Sequence, residues 1–342
     1  MSCTSQGIIV LKACSRKLAA THFQLAGWTT MIVAHLIKHW MAGRAQSSSA
    51  LRARSLARSM RVLLFYRAHR RLCQLDLVRH YLAEPLNDDL FHHLSQRDYL
   101  IRNLPVRHRI ACMLHHYTFE DVTFDTTYKR ALYRDGGLTL WRHSQGGSEF
   151  SITLSMAAPP MGAGELVIAL EANGTCLHRL GFSWIEGKVA GVDSPALPFV
   201  AHNQGRGADS DPAFAAFEHA FPNNAPAFFC FAALQGAAQA VGMTELVGIK
   251  GSFHLASDLQ SAKQLARGHD SFWQTLGGIE LPGPGYLVEL PFRLKPLPGN
   301  NRGRAAQRRI YWAEIGAAAR ATLENRLETR RNRAPLPLAV NA

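Results

Sequence analysis

The chain has 342 residues, 47% of them hydrophobic, with a formal net charge of +13, enough length and apolar content for one large or two small folded domains, which excludes disorder throughout. The charge is segregated: residues 1–110 carry 17 Lys/Arg against 5 Asp/Glu, residues 111–295 carry 12 against 17, and residues 296–342 carry 9 against 3. Contact with a polyanion or an anionic membrane therefore falls to the two flanks, and the mildly acidic centre is left for other work.

In chain order, the apolar run at residues 7–11 is too short for a signal-peptide core, and Lys12, Arg16 and Lys17 follow it instead of preceding it. A cytoplasmic location is expected. Residues 28–40, WTTMIVAHLIKHW, are interrupted by His35, Lys38 and His39 well short of the roughly 20 residues a membrane span needs. They read as a helix packed on the main domain, with an interfacial amphipathic helix as the alternative.

After the break at residues 43–49, Leu56, Met60, Leu63, Leu64, Leu72 and Leu75 recur at helical spacing, with Arg52, Arg54, Arg58, Arg61, Arg67, Arg70 and Arg71 between them. This basic helical region closes at Pro85, and a second helical piece is expected around residues 89–100. Beyond Pro105 the adjacent His115 and His116 read as strand neighbours pointing to opposite faces.

From Leu138 the period changes. Residues 138–141 and 150–156 read as strands around the Gly146-Gly147 turn, and residues 165–171 and 176–184 flank Asn173-Gly174, the strongest short hairpin signal. A further strand ends near Ala201 and runs into Asn203-Gln204-Gly205-Arg206-Gly207. A helix then starts at Asp211-Pro212, with Asp as cap and Pro in the first turn.

A second helix spans residues 226–241, a buried strand 245–250, a helix 258–276 with Ser257 or Asp258 as cap, and a closing strand 286–292. An arginine-rich helix follows over about residues 305–331. The expected class is α+β: a central mixed, mostly antiparallel sheet with flanking helices, plus a basic helical N-terminal region. The expected divisions are an arm (1–49), a basic helical region (50–104), the α+β domain (105–295) and a basic C-terminal helix and tail (296–342). The six cysteines, at 3, 14, 73, 112, 176 and 230, have no C-x-x-C spacing and read as reduced thiols.

The runs FAALQGAAQAVGMTELVGIKGSFHL (231–255), HDSFWQTLGG (269–278) and YLVELP (286–291), with VAHNQGR (200–206) and the Arg308-Arg309 pair near Tyr311, resemble the VirK/YbjX family over roughly residues 105–330. The basic, proline-containing stretch expected near the Gln-Gly loop is missing here, and the N-terminal extension is long. The resemblance implies a bacterial accessory protein associated with virulence, the cell envelope and resistance to antimicrobial peptides. It carries no biochemical activity.

The element order also resembles the GCN5-related N-acetyltransferase fold, in which backbone N–H groups of a glycine-containing loop after a strand cradle the coenzyme A pyrophosphate. The resemblance places Gln204, Gly205, Arg206 and Gly207 at that loop and coenzyme A as the ligand. His254, just after a buried strand, and Asp270 are the candidate general bases. Trp273, Phe272 and Tyr286 read as core.

No histidine pair has zinc-hydrolase spacing, so no metal is expected, and G-x-S-x-G, Walker and complete dinucleotide motifs are absent. Three readings follow: an envelope-associated binding protein whose basic helices touch an anionic membrane surface or a protein partner, a coenzyme A-dependent acyltransferase, and, last, a nucleic-acid binder. The acyltransferase reading requires the strand ending at Ala201 to part from its neighbour and leave a cleft at residues 203–207.

Overall fold

A computed structural model describes residues 64–82, 99–157, 164–205, 211–255, 261–292 and 302–328. The expected N-terminal arm, nearly all of the helical piece at 89–100, and Arg206 and Gly207 lie outside the described residues.

The chain forms an α+β fold on one eight-stranded sheet. In sequence the elements are α1 (Tyr66–Gln74), a π-helical turn (Val78–Leu82), α2 (Val106–Thr123), α3 (Thr126–Tyr133), β1 (Leu138–Gln145), β2 (Ser148–Met156), β3 (Leu166–Ala172) and β4 (Thr175–Ile185). They continue with β5 (Leu197–Gly205), α4 (Asp211–Ala220), α5 (Pro226–Ala240), β6 (Glu245–Ile249), α6 (Ser261–Thr275), β7 (Ile279–Glu280), β8 (Gly285–Glu289) and α7 (Arg302–Glu324). The spatial order is β1-β2-β3-β4-β5-β6-β8-β7. Only β5 and β6 are parallel; the remaining pairs are antiparallel.

The hairpins form where the turn residues demand them. Asn173 and Gly174 both adopt positive φ, 49° and 75°, which a two-residue turn between right-twisted strands requires. The closing strand expected over 286–292 is β8, and the two-residue β7, too short to leave an alternating pattern to read, takes the edge beside it.

The run around His115 and His116 is helical, not extended. As part of α2 it carries Cys112, Met113, His116, Tyr117 and Glu120 inward. Polar residues among the apolar ones blur the helical period, which is why the sequence hides this helix.

Two sets of side chains alternate along the middle strands. Val200, Leu246 and Val288 join the large core with Phe229, Ala233 and Ala237 of α5 and with Trp273 of α6. Leu197, Phe199, Ala201, Val247 and Ile249 join a second core with Tyr99, Ile101 and Cys112. Burial on both faces is the normal condition for parallel neighbours.

The C-terminal helix is built into the core, with Trp312, Ile315, Ala319 and Leu323 buried. Its axis crosses α5 closely enough that a Cβ on Gly236 would lie 2.1 Å from the Gly316 carbonyl oxygen. Past α7, Leu327 bridges to Phe124 and the Glu328 N–H donates to Thr123 O at 2.9 Å, tying this end to the α2–α3 junction. On α1, Leu72 and Cys73 are buried while Arg67, Arg70 and Arg71 are exposed.

The four described cysteines, Cys73, Cys112, Cys176 and Cys230, are buried. Burial pushes the thiols of Cys73 and Cys112 up to about 12. No helix among the described residues is long and apolar enough to cross a membrane.

Candidate functional site

The parallel pair is brief: only Phe199↔Val247 and Val200↔Gly248 are in register. β5 then continues to Gly205, still paired with β4 through His202↔Gly181, Asn203↔Leu180, Gln204↔Arg179 and Gly205↔His178. β6 stops at Ile249, so the two strands part and β5 extends four residues beyond the expected end at Ala201.

Two local causes produce the parting. The β4–β5 ladder shifts register between Gly181 and Phe182, leaving Ala201 as an extra residue on β5, and such a bulge bends the strand and raises its twist. On the other side, Lys250 draws the exit of β6 toward β7 and β8. Its N–H donates to Pro284 O at 2.8 Å and its ammonium pairs with Glu280 at 2.9 Å.

Trp273 fixes the height of α6 on β6. Its Nε1–H donates to Ile249 O at 3.0 Å, and its ring covers Gly248, where a Cβ would lie 2.2 Å from the ring. A 3₁₀ turn, Gly251–Phe253, then delivers His254 to the mouth of the gap.

Histidines from three elements meet there. The rings of His202 (β5) and His254 lie 5.8 Å apart, and those of His254 and His269 (α6) lie 4.8 Å apart. His254 and His269 are buried and His202 is half-buried. A fourth, His178 on β4, donates from Nε2 to Asn203 Oδ1 at 2.6 Å, which fixes its tautomer.

Burial, reinforced by the neighbouring imidazoles, holds His202 and His269 down at about 4, and burial lowers His254 and His178 as well. At neutral pH the group is therefore a set of uncharged rings, each with one donor and one acceptor nitrogen. The Nδ1 of His269 is buried and has no hydrogen-bond partner among the described residues.

Of the residues singled out from the sequence, His254 stands in this cluster. Gln204 and Gly205 are exposed at the open end of β5. Gly205 has negative φ and room for a Cβ, whose nearest neighbour would be His178 Nδ1 at 3.5 Å, so the backbone does not itself demand glycine there. One carboxylate oxygen of Asp270 accepts from the Gly251 N–H at 2.9 Å and secures the turn before His254. His202 and His178 were not legible as partners because 52 and 76 residues separate them from His254. Among the described residues no group of three or more His, Cys, Asp or Glu side chains is placed to hold a metal ion.

A second buried polar centre braces α2. Glu120, fully enclosed, accepts from Trp184 Nε1 at 2.5 Å, Tyr128 OH at 3.1 Å and Tyr133 OH at 3.3 Å. Glu165 accepts from Tyr99 OH at 2.6 Å and Tyr117 OH at 2.7 Å. Desolvation raises the Glu120 carboxyl to about 7 even though its three donors pull the other way.

No curated protein and no solved structure matches the chain. The family model described as protein of unknown function (DUF535) matches residues 50–298, a range that takes in the whole sheet and all four histidines. The chain therefore belongs to that family, which contains the VirK/YbjX proteins.

Proposed function

We propose that the chain is an acyltransferase-like enzyme that takes an acyl or acetyl coenzyme A donor into the gap between β5 and β6. The observation that carries this reading is the end of the β5–β6 pairing after Val200 and Gly248, beyond which β5 runs on beside β4 alone as far as Gln204 and Gly205. Ligands of open α/β sheets enter outside the carboxyl ends of parallel strands, where the connections diverge. The strand order and the glycine-containing exit of β5 also support the likeness to GCN5-related N-acetyltransferases. The exposed Gln204-Gly205 backbone, continuing toward Arg206 and Gly207, suits a pyrophosphate.

Thermal-shift titration of the full chain with coenzyme A tests the donor site. A ligand that binds only the native state raises the melting temperature of a chain this long by roughly 4 °C at a hundred times its Kd. Gly205→Ala, whose Cβ would come no closer than 3.5 Å to a neighbour, should melt like the wild type without ligand and show a smaller shift. No stabilisation of the wild type at millimolar coenzyme A would overturn the reading.

A further inference from the structure

We infer that His202, His254 and His269 form the acceptor end of this site, taking up the proton that an attacking primary amine or hydroxyl gives up. The inference rests on the donor reading above and adds to it the class of second substrate and the route of its proton.

Position is the first support. The three side chains come from β5, from the turn after β6 and from α6, and they converge only where the parallel pair opens. Had the strands stayed paired to Gly205, β6 would have continued alongside His202.

The second support is the unpartnered Nδ1 of His269. Among the described residues nothing offsets the desolvation of this buried nitrogen, and native proteins rarely keep such a group without a partner, ligand, water or ion to complete it. An N–H or O–H of a bound nucleophile completes it as donor, with the ring nitrogen accepting.

The third support is connectivity. His254 neighbours both other rings, and His202 is the one with partial access to solvent. The three rings therefore form one contiguous neighbourhood that runs from buried His269 to half-buried His202. The uncharged state of the rings keeps them available as acceptors for the proton that a neutral amine or hydroxyl gives up as it attacks.

The step balances without any further reagent. The nucleophile's nitrogen or oxygen bonds to the thioester carbonyl carbon, the carbon–sulfur bond breaks, and its electron pair leaves on sulfur. The nucleophile's proton passes to the imidazole and on to the thiolate, giving an amide or ester and free thiol.

The full chain is mixed with acetyl coenzyme A and thiol release is followed in three arms, with butylamine, with butanol and with neither. His254→Asn and His269→Gln are run beside the wild type, with thermal melts and coenzyme A binding measured for each. Release stimulated by one acceptor identifies amine or hydroxyl as the nucleophile. Loss of that stimulation by about 10²-fold or more in both variants, with coenzyme A binding intact, is the expected result. Unchanged release in folded variants, or no release in any arm, overturns the inference while leaving the donor site standing. So does stoichiometric zinc binding that His269→Gln abolishes. Failure of the wild type to bind coenzyme A removes the donor reading and the inference together.

Discussion

Glu120 sits on α2 with no exposed surface, and its carboxyl is raised from 4.5 to about 7 because enclosure penalises the charged form more than three donors favour it. The unfolded chain releases that proton near 4.5, so between the two values the native state holds more protons than the unfolded one. The stability from this group is complete below about pH 4.5 and is lost as pH rises through 7, a change on the order of 3 kcal/mol. Glu120→Gln, neutral at every pH and still able to accept from Trp184, should flatten the decline in urea-unfolding free energy between pH 5 and 8. A slope identical to the wild type's would refute this. His202 and His269 act in the opposite direction, since values lowered to about 4 make stability fall as pH drops from 6.5 toward 4.

At the scale of elements, the crossing of α5 and α7 depends on the glycine at 236. A methyl group at residue 236 would meet the Gly316 carbonyl oxygen at 2.1 Å, and a backbone atom has no rotamer with which to yield. Overpacking of this kind costs about 1–3 kcal/mol, so Gly236→Ala should lower the unfolding free energy by that amount, seen as a lower denaturation midpoint at unchanged slope. A midpoint equal to the wild type's would show that the helices separate freely.

Much at this scale was legible in the chain. Asn173-Gly174 fixed one hairpin, Pro226 and Gly242 bounded α5, and the loss of helical period at Leu138 marked the start of the sheet. The gap between β5 and β6 was not, because it arises from a bulge at Ala201 and from the pull of Lys250 on a distant edge. Likewise the histidine cluster joins residues whose proximity depends on one parallel pairing, which no local pattern encodes. The inward polar face of α2 removed the amphipathic signal that would have marked it as a helix.

For the whole molecule, the family match ends at residue 298 while α7 begins at Arg302. Burying Trp312, Ile315 and Leu323 contributes about 1.5–3 kcal/mol per side chain, a sum comparable to the 5–15 kcal/mol that separates a native domain from its unfolded state. A chain ending at residue 298 should therefore lose its cooperative thermal transition and its near-ultraviolet circular dichroism. A sharp melt close to that of the full chain would show that α7 is dispensable.

The parting of β5 and β6 has one more consequence. A sheet ordinarily keeps its unpaired backbone at its two rims, where a bulge in β1 and the brevity of β7 discourage another chain from adding a strand. Here β5 loses its β6 partner along Ala201 to Asn203, in the interior of the sheet, while His202 and Asn203 stay paired with β4 on the other side. A strand from another molecule would have to enter between two strands held together at Phe199 and Val247, so this interior edge is closed to the pairing that an outer rim invites.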